Sequence, residues 1–111
     1  MEKKFEEIID EIRDELKTRG KYGSSSNMLV NAKHRIGVIG IRTYEDKNAQ
    51  DTIHVFREDS GLKKVLNLEY NPRKMSTRMF MNPTEILEDG TGFKYDVIDS
   101  SRKRHKKIYR F

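Results

Sequence analysis

Residues 34–44 have the sequence HRIGVIGIRTY, and this stretch decides the fold class. Most of its apolar residues are β-branched, which is typical of a β-strand. Ile36 and Val38 share one parity along the stretch, whereas the next two isoleucines occupy the other. Because this change of parity falls beside a glycine, we predict a β-bulge or a sharp bend near Gly40.

Shorter alternating segments follow on the C-terminal side, separated by turn residues. We predict strands over 52–57, 64–70, 75–81 and 93–98, and a short strand or helical turn over 85–88. The first two of these strands are expected to form a hairpin across the turn at 59–61. The Asn71-Pro72 and Asn82-Pro83 pairs are expected to interrupt the strands, because proline cannot donate to a sheet.

The N-terminal segment 2–19 has the period of an amphipathic α-helix. Its apolar stripe consists of Phe5, Ile8, Ile9, Ile12 and Leu16. Acidic residues are concentrated toward the start and basic residues at the end, which suits the helix dipole. The solvent face of this helix is acidic, and the candidate protein contacts on it are Glu6, Asp10 and Asp14.

These elements together predict one domain over 1–111, with a helix in 1–19 and a β-rich body in 28–111. Between them, residues 20–27 (GKYGSSSN) are rich in Gly and Ser and predict a flexible loop. We expect an α+β fold: one N-terminal amphipathic helix, then a mostly antiparallel, bent sheet of about five to seven strands or a small barrel.

Composition limits the classes of protein to which the chain can belong. The 111 residues carry 23 Lys+Arg and 18 Asp+Glu, for a formal net charge of +5, and no cysteine. A disulfide framework, a thiolate nucleophile and a Cys-ligated zinc are therefore excluded. Because no apolar run approaches the roughly 18 residues of a membrane span, we expect a soluble cytoplasmic protein with no membrane partner. The bias toward Lys, Ile and Asn over Ala and Pro is typical of AT-rich coding sequences, including those of phages of low-GC bacteria.

The positive charge is concentrated in the last twelve residues. Residues 100–111 hold 6 basic and 0 acidic side chains, whereas residues 20–99 hold 12 and 11, and residues 1–19 hold 5 and 7. The six basic residues are Arg102, Lys103, Arg104, Lys106, Lys107 and Arg110. Such cations neutralise phosphates, and Tyr109 and Phe111 beside them could stack on unpaired bases. A second basic cluster would extend this surface; it comprises Arg73, Lys74 and Arg78.

Three other interpretations of the basic segment stay open. Ile108, Tyr109 and Phe111 favour a C-terminal edge strand, on which cations prevent edge-to-edge aggregation without any ligand. The acidic helix and the basic end could instead be opposite poles of a protein-interaction module that regulates or inhibits a cellular or host complex. The two poles could also simply pack against each other within the domain.

The residues that commonly carry catalysis have no supporting pattern here. His34, His54 and His105 lack the spacing of metal ligands, and the Glu45-Asp46-Lys47 string falls in a predicted turn. The serines at 24–26 lie outside any nucleophile elbow. We therefore expect no catalytic residue, no metal and no cofactor. The leading hypothesis is a small non-enzymatic DNA- or RNA-binding protein.

Overall fold

The computed structural model describes residues 4–18, 22–45, 48–70, 80–99 and 101–111. The elements in these residues are α1 (Phe5–Thr18), β1 (Tyr22–Asn31), β2 (Ile36–Glu45), β3 (Asn48–Arg57), β4 (Gly61–Tyr70), β5 (Phe80–Ile86), β6 (Gly92–Ile98) and β7 (Arg104–Arg110). Neighbouring strands are antiparallel and form one sheet in the order β1-β2-β3-β4 and another in the order β5-β6-β7. The predicted α+β class is confirmed, with the strands divided between two sheets.

The strand β2 is buried on both of its faces, which explains its apolar residues at both parities. Ile36 and Val38 pack toward the second sheet, whereas Ile39 and Ile41 pack toward α1. The pairing of β2 with β3 continues without interruption past Gly40. The register irregularity lies instead on β1, between residues 25 and 27, opposite this glycine. The predicted bulge is therefore present one strand away from its expected place.

The space between the two sheets holds one of the two apolar clusters. Its buried members are Ile36, Val38, Ile53, Val55, Met81, Phe93 and Tyr95. The first four come from β2 and β3, and the last three come from β5 and β6. This contact covers one face of the four-stranded sheet and one face of the three-stranded sheet.

The helix α1 covers the other face of the four-stranded sheet. Phe5, Ile9 and Leu16 of the predicted stripe are buried in the second apolar cluster. A Cβ added to Gly37 would overlap the side chain of Ile9, so the glycine allows the helix to approach the sheet closely. In the described residues, no helix is long and apolar enough to cross a membrane.

Two predictions about local structure are wrong. Residues from Tyr22 onward in the segment 20–27 belong to β1, which pairs with β2. Hydrogen bonding to a neighbouring strand outweighs the weak local preference of Gly and Ser for a loop. Pro83 likewise lies inside β5 and does not end it. Because β5 is an edge strand, with a register shift between Pro83 and Glu85, the missing N–H is tolerated.

The buried carboxylate of Asp51 links the two sheets by pairing with Arg42 in its own sheet and accepting a hydrogen bond from the other. Arg42 Nε and Nη2 donate to the carboxylate of Asp51 at 2.7 and 3.1 Å. The same carboxylate accepts the backbone N–H of Met81 on β5 at 2.9 Å. A second polar contact lies between Asn27 Nδ2 on β1 and the carbonyl oxygen of Pro83, at 2.7 Å. These contacts hold β5 against the four-stranded sheet.

Candidate nucleic-acid interface

The basic C-terminal segment forms β7, one of the two edge strands of the three-stranded sheet. Tyr109 is paired with Phe93 and Lys107 with Tyr95, so this parity of β7 faces the first sheet. The other parity points away from the core and contains Arg104, Lys106, Ile108 and Arg110. The predicted C-terminal edge strand is confirmed.

The six basic side chains of this segment differ in their neighbours. Arg104 Nε lies 3.8 Å from Asp96 Oδ2, and Arg110 Nη1 donates to Thr91 Oγ1 at 3.1 Å. The remaining four are exposed, and no carboxylate among the described residues forms an ion pair with them; they are Arg102, Lys103, Lys106 and Lys107. These four are the cations best placed to meet phosphates.

The turn between β6 and β7 is organised by Asp99. Its Oδ1 accepts the backbone N–H groups of Ser101 and Lys103 at 2.9 and 3.0 Å. Its Oδ2 lies 2.8 Å from His105 Nε2, which is the donor because a carboxylate only accepts. The hydrogen bond from His105, and then those from the backbone, lower the pKa of Asp99 below its ordinary value. The turn therefore presents Arg102 and Lys103 from an ordered backbone.

The two aromatic residues at the end of the chain differ in exposure. Tyr109 is half-buried, with its ring stacked on Phe93 at a centroid distance of 5.4 Å. Phe111 is 38% exposed, and the Arg57 guanidinium lies 5.0 Å from its ring centroid. Phe111 therefore offers the larger exposed aromatic surface.

Two cations absent from the sequence prediction lie close to these aromatic rings. Arg57 on β3 and Lys63 on β4 line one cleft together with Tyr109 and Phe111. No local sequence pattern could have identified these two cations, because the β3–β4 hairpin comes near β7 only when the two sheets pack against each other. Arg73, Lys74 and Arg78 lie outside the described residues.

The acidic pole lies on a different layer of the molecule. The helix α1 packs on β1 and β2, on the face opposite the three-stranded sheet. The interpretation in which the basic strand packs against this helix is therefore wrong. Glu6 and Asp14 are exposed, and Asp10 and Asp14 lie 3.3 and 3.4 Å from Arg13 nitrogens.

The histidines are held by structural contacts on separate elements. His34 Nε2 lies 3.0 Å from the carbonyl oxygen of Glu88, and His54 Nε2 lies 3.0 Å from Thr52 Oγ1. Across the part of the chain that the structure describes, no group of three or more His, Asp or Glu side chains could hold a metal ion.

Comparisons with known proteins add no family to these observations. No protein-family model, curated protein or solved structure matches the chain. A function for this protein therefore rests on the geometry of its described residues.

Proposed function

We propose that this protein binds nucleic acid through the basic edge strand β7 and the turn before it, without catalysing a reaction. The observation that carries the proposal is the group of four exposed cations without a carboxylate partner in the described residues: Arg102, Lys103, Lys106 and Lys107. Cations of this kind bind phosphates and release counterions, which is the main source of affinity in sequence-independent binding.

Two further features support contact with a polyanion. The hydrogen bonds of Asp99 order the turn, so less conformational entropy is lost when its cations bind. The acidic helix α1 lies on the opposite layer, where its charge does not neutralise β7 and would orient the approach of a phosphate backbone. No helix in the described residues presents a basic face to a DNA groove, so we propose binding with little sequence specificity.

The salt dependence of binding tests this proposal. If four cations meet duplex phosphates, log K against log salt should have a slope of about −3.6, whereas six would give about −5.4. The first value corresponds to an affinity loss of about 150-fold between about 50 and 200 mM salt. Fluorescence anisotropy of a labelled oligonucleotide measures the slope, and a slope near zero would contradict the proposal.

Lysine variants test whether the cations of β7 produce this salt dependence. The Lys106→Gln/Lys107→Gln variant should make the slope shallower by about 1.8, because two phosphate contacts are lost. Lys33, an exposed lysine in the turn between β1 and β2, provides the control Lys33→Gln. The control should leave the slope unchanged. A slope shallower by about 0.9 with Lys33→Gln, which is half the effect for half the lost charge, would indicate dependence on net charge alone.

A second candidate function, a protein-interaction module, is favoured by the placement of the two charged poles on opposite layers. Its contact would use the acidic face of α1, including Glu6, Asp10 and Asp14. Neutralising these residues as Glu6→Gln, Asp10→Asn and Asp14→Asn should leave nucleic-acid affinity intact. Loss of a protein partner with this variant, together with no nucleic-acid binding by the unmodified protein, would favour the second candidate.

A further inference from the structure

A narrow cleft opens between the two sheets, between the β3–β4 hairpin and the end of β7. Its volume is about 140 Å³. An apolar cavity of about 150 Å³ holds one benzene molecule, so this volume is enough for about one six-membered ring. The residues that matter for its chemistry are Val55, Val65, Arg57, Lys63, Tyr109 and Phe111.

The walls of the cleft combine apolar and aromatic surface. Val55 belongs to the buried core, and Val65 packs against the same cluster. Phe111 is held in place because its backbone N–H donates to the carbonyl oxygen of Thr91 at 2.9 Å. Its ring also lies 6.2 Å from the Phe93 ring. The aromatic wall is therefore positioned before any ligand arrives.

The mouth of the cleft is cationic. The Arg57 guanidinium lies over one face of the Phe111 ring, 5.0 Å from its centroid, and Arg57 Nη2 is 3.7 Å from Asp59 Oδ2, a carboxylate that is itself 73% exposed. Lys63 is exposed and points to the side of β4 that faces the second sheet, as its pairing with Val55 requires. Lys107 is exposed on the same parity of β7 as Tyr109. Arg57 and Lys63 of the first sheet therefore line the cleft itself, and Lys107 of the second sheet lies beyond this lining, two residues before Tyr109 on β7.

We infer that this cleft receives an unpaired base of a single-stranded nucleic acid, stacked on Phe111, with the neighbouring phosphates bound by Lys63 and Lys107. This inference rests on the proposed function and specifies its ligand. A base within a duplex is paired and stacked and cannot enter the cleft, whereas every unpaired base has a flat face that an aromatic ring can stack on. The protein therefore prefers single strands to duplexes.

The Phe111→Ala variant tests the stacking contact. Anisotropy is measured with a labelled single strand of about 12 nucleotides, a length within the usual range of sites on small β domains. A duplex of the same length serves as the second probe. Phe111→Ala should weaken single-strand binding by about 5- to 150-fold and leave duplex binding unchanged. The aromatic control is Tyr44→Ala, because Tyr44 is 39% exposed at the opposite end of the four-stranded sheet.

A pair of adjacent lysines tests the cationic mouth without touching the core. Lys63 and Lys64 are both exposed, but Lys64 is paired with His54 and points to the helix side of the sheet. Lys63→Gln should make the single-strand salt slope shallower by about 0.7, whereas Lys64→Gln should leave it unchanged. This comparison tests whether the single strand binds at the cleft even if Phe111→Ala fails to fold.

The outcomes separate this inference from the proposed function. The inference would be overturned if the protein bound both probes with equal affinity and neither Phe111→Ala nor Lys63→Gln changed that affinity. If Lys106→Gln/Lys107→Gln weakened binding of both probes in the same experiment, the proposed function would still stand. No binding of either probe would overturn both. Displacement of the single strand by a polyglutamate peptide at equal charge concentration would also overturn the inference, since it would assign the cleft to an acidic polypeptide.

Discussion

The Asp51→Asn substitution removes the charge that joins the two sheets. The Asp51 side chain is 1% exposed and accepts three hydrogen bonds, two from Arg42 and one from the backbone of Met81. An asparagine has a single acceptor oxygen, and its NH₂ group would face at least one of these donors. The substitution therefore removes the carboxylate charge beside the Arg42 guanidinium, whose side chain is 18% exposed, and places an NH₂ group against at least one of the donors.

The expected loss of stability follows from these contacts. Removing one partner of a buried ion pair costs about 3–5 kcal/mol. For 111 residues, an unfolding entropy of about 2.1 cal/mol/K per residue gives about 230 cal/mol/K, so Tm should fall by about 13–21 °C. This is a large part of the roughly 5–15 kcal/mol by which domains are stable.

Thermal and urea denaturation, followed by circular dichroism, measure this loss. The matched control is Glu58→Gln, which breaks the Arg35–Glu58 pair at 2.6 Å, whose side chains are 42% and 61% exposed. Because that pair is solvated, its loss should cost about 0–1 kcal/mol. If Asp51→Asn cost under about 1 kcal/mol, or no more than the control, the argument that burial makes this pair critical would be refuted.

Two further predictions concern the helix and the β6–β7 turn. Gly37→Ala should lower the unfolding free energy by about 1–3 kcal/mol, because the added Cβ overlaps Ile9. Urea denaturation measures this, and adding Ile9→Val should recover part of the loss if the overlap is its cause. Since the pKa of Asp99 is lowered in the folded state, this carboxylate contributes stability at neutral pH that is lost as pH falls through the lowered pKa. The stability difference between the unmodified protein and Asp99→Asn should therefore shrink in acid, and a difference that is constant with pH would contradict the assignment.

The sequence predicted those elements whose signal lies in neighbouring residues. The stripe of α1, the hairpin of β3 and β4, and the alternation of β7 all depend on residues within a few positions of each other. The N-terminal half of β1 was predicted as a loop because it contains few apolar residues, and pairing with β2 is what makes it a strand. Pro83 was wrongly predicted to interrupt a strand. A residue without a backbone N–H is acceptable inside β5 only because β5 is an edge strand, which the local sequence does not show.

Part of the candidate site could also be predicted from the sequence, and part of it depends on the tertiary structure. The concentration of charge at 102–110 is a property of the sequence by itself, and so is the alternation of its side chains once the segment is extended. The tertiary structure decided which of these cations have a carboxylate partner among the described residues. Asp96 lies beside Arg104, whereas Asp99 bonds to the backbone of the turn.

Composition and local periodicity thus determined the helix, most of the strands and the basic pole of this protein, because both depend on residues close together in the chain. The division of the strands into two sheets, the buried Arg42–Asp51 link to β5 and the cleft between Lys63 and Phe111 were decided by the tertiary structure. These features depend on which distant segments pack together, and packing is set by burial and hydrogen bonding across the whole domain rather than by any one segment.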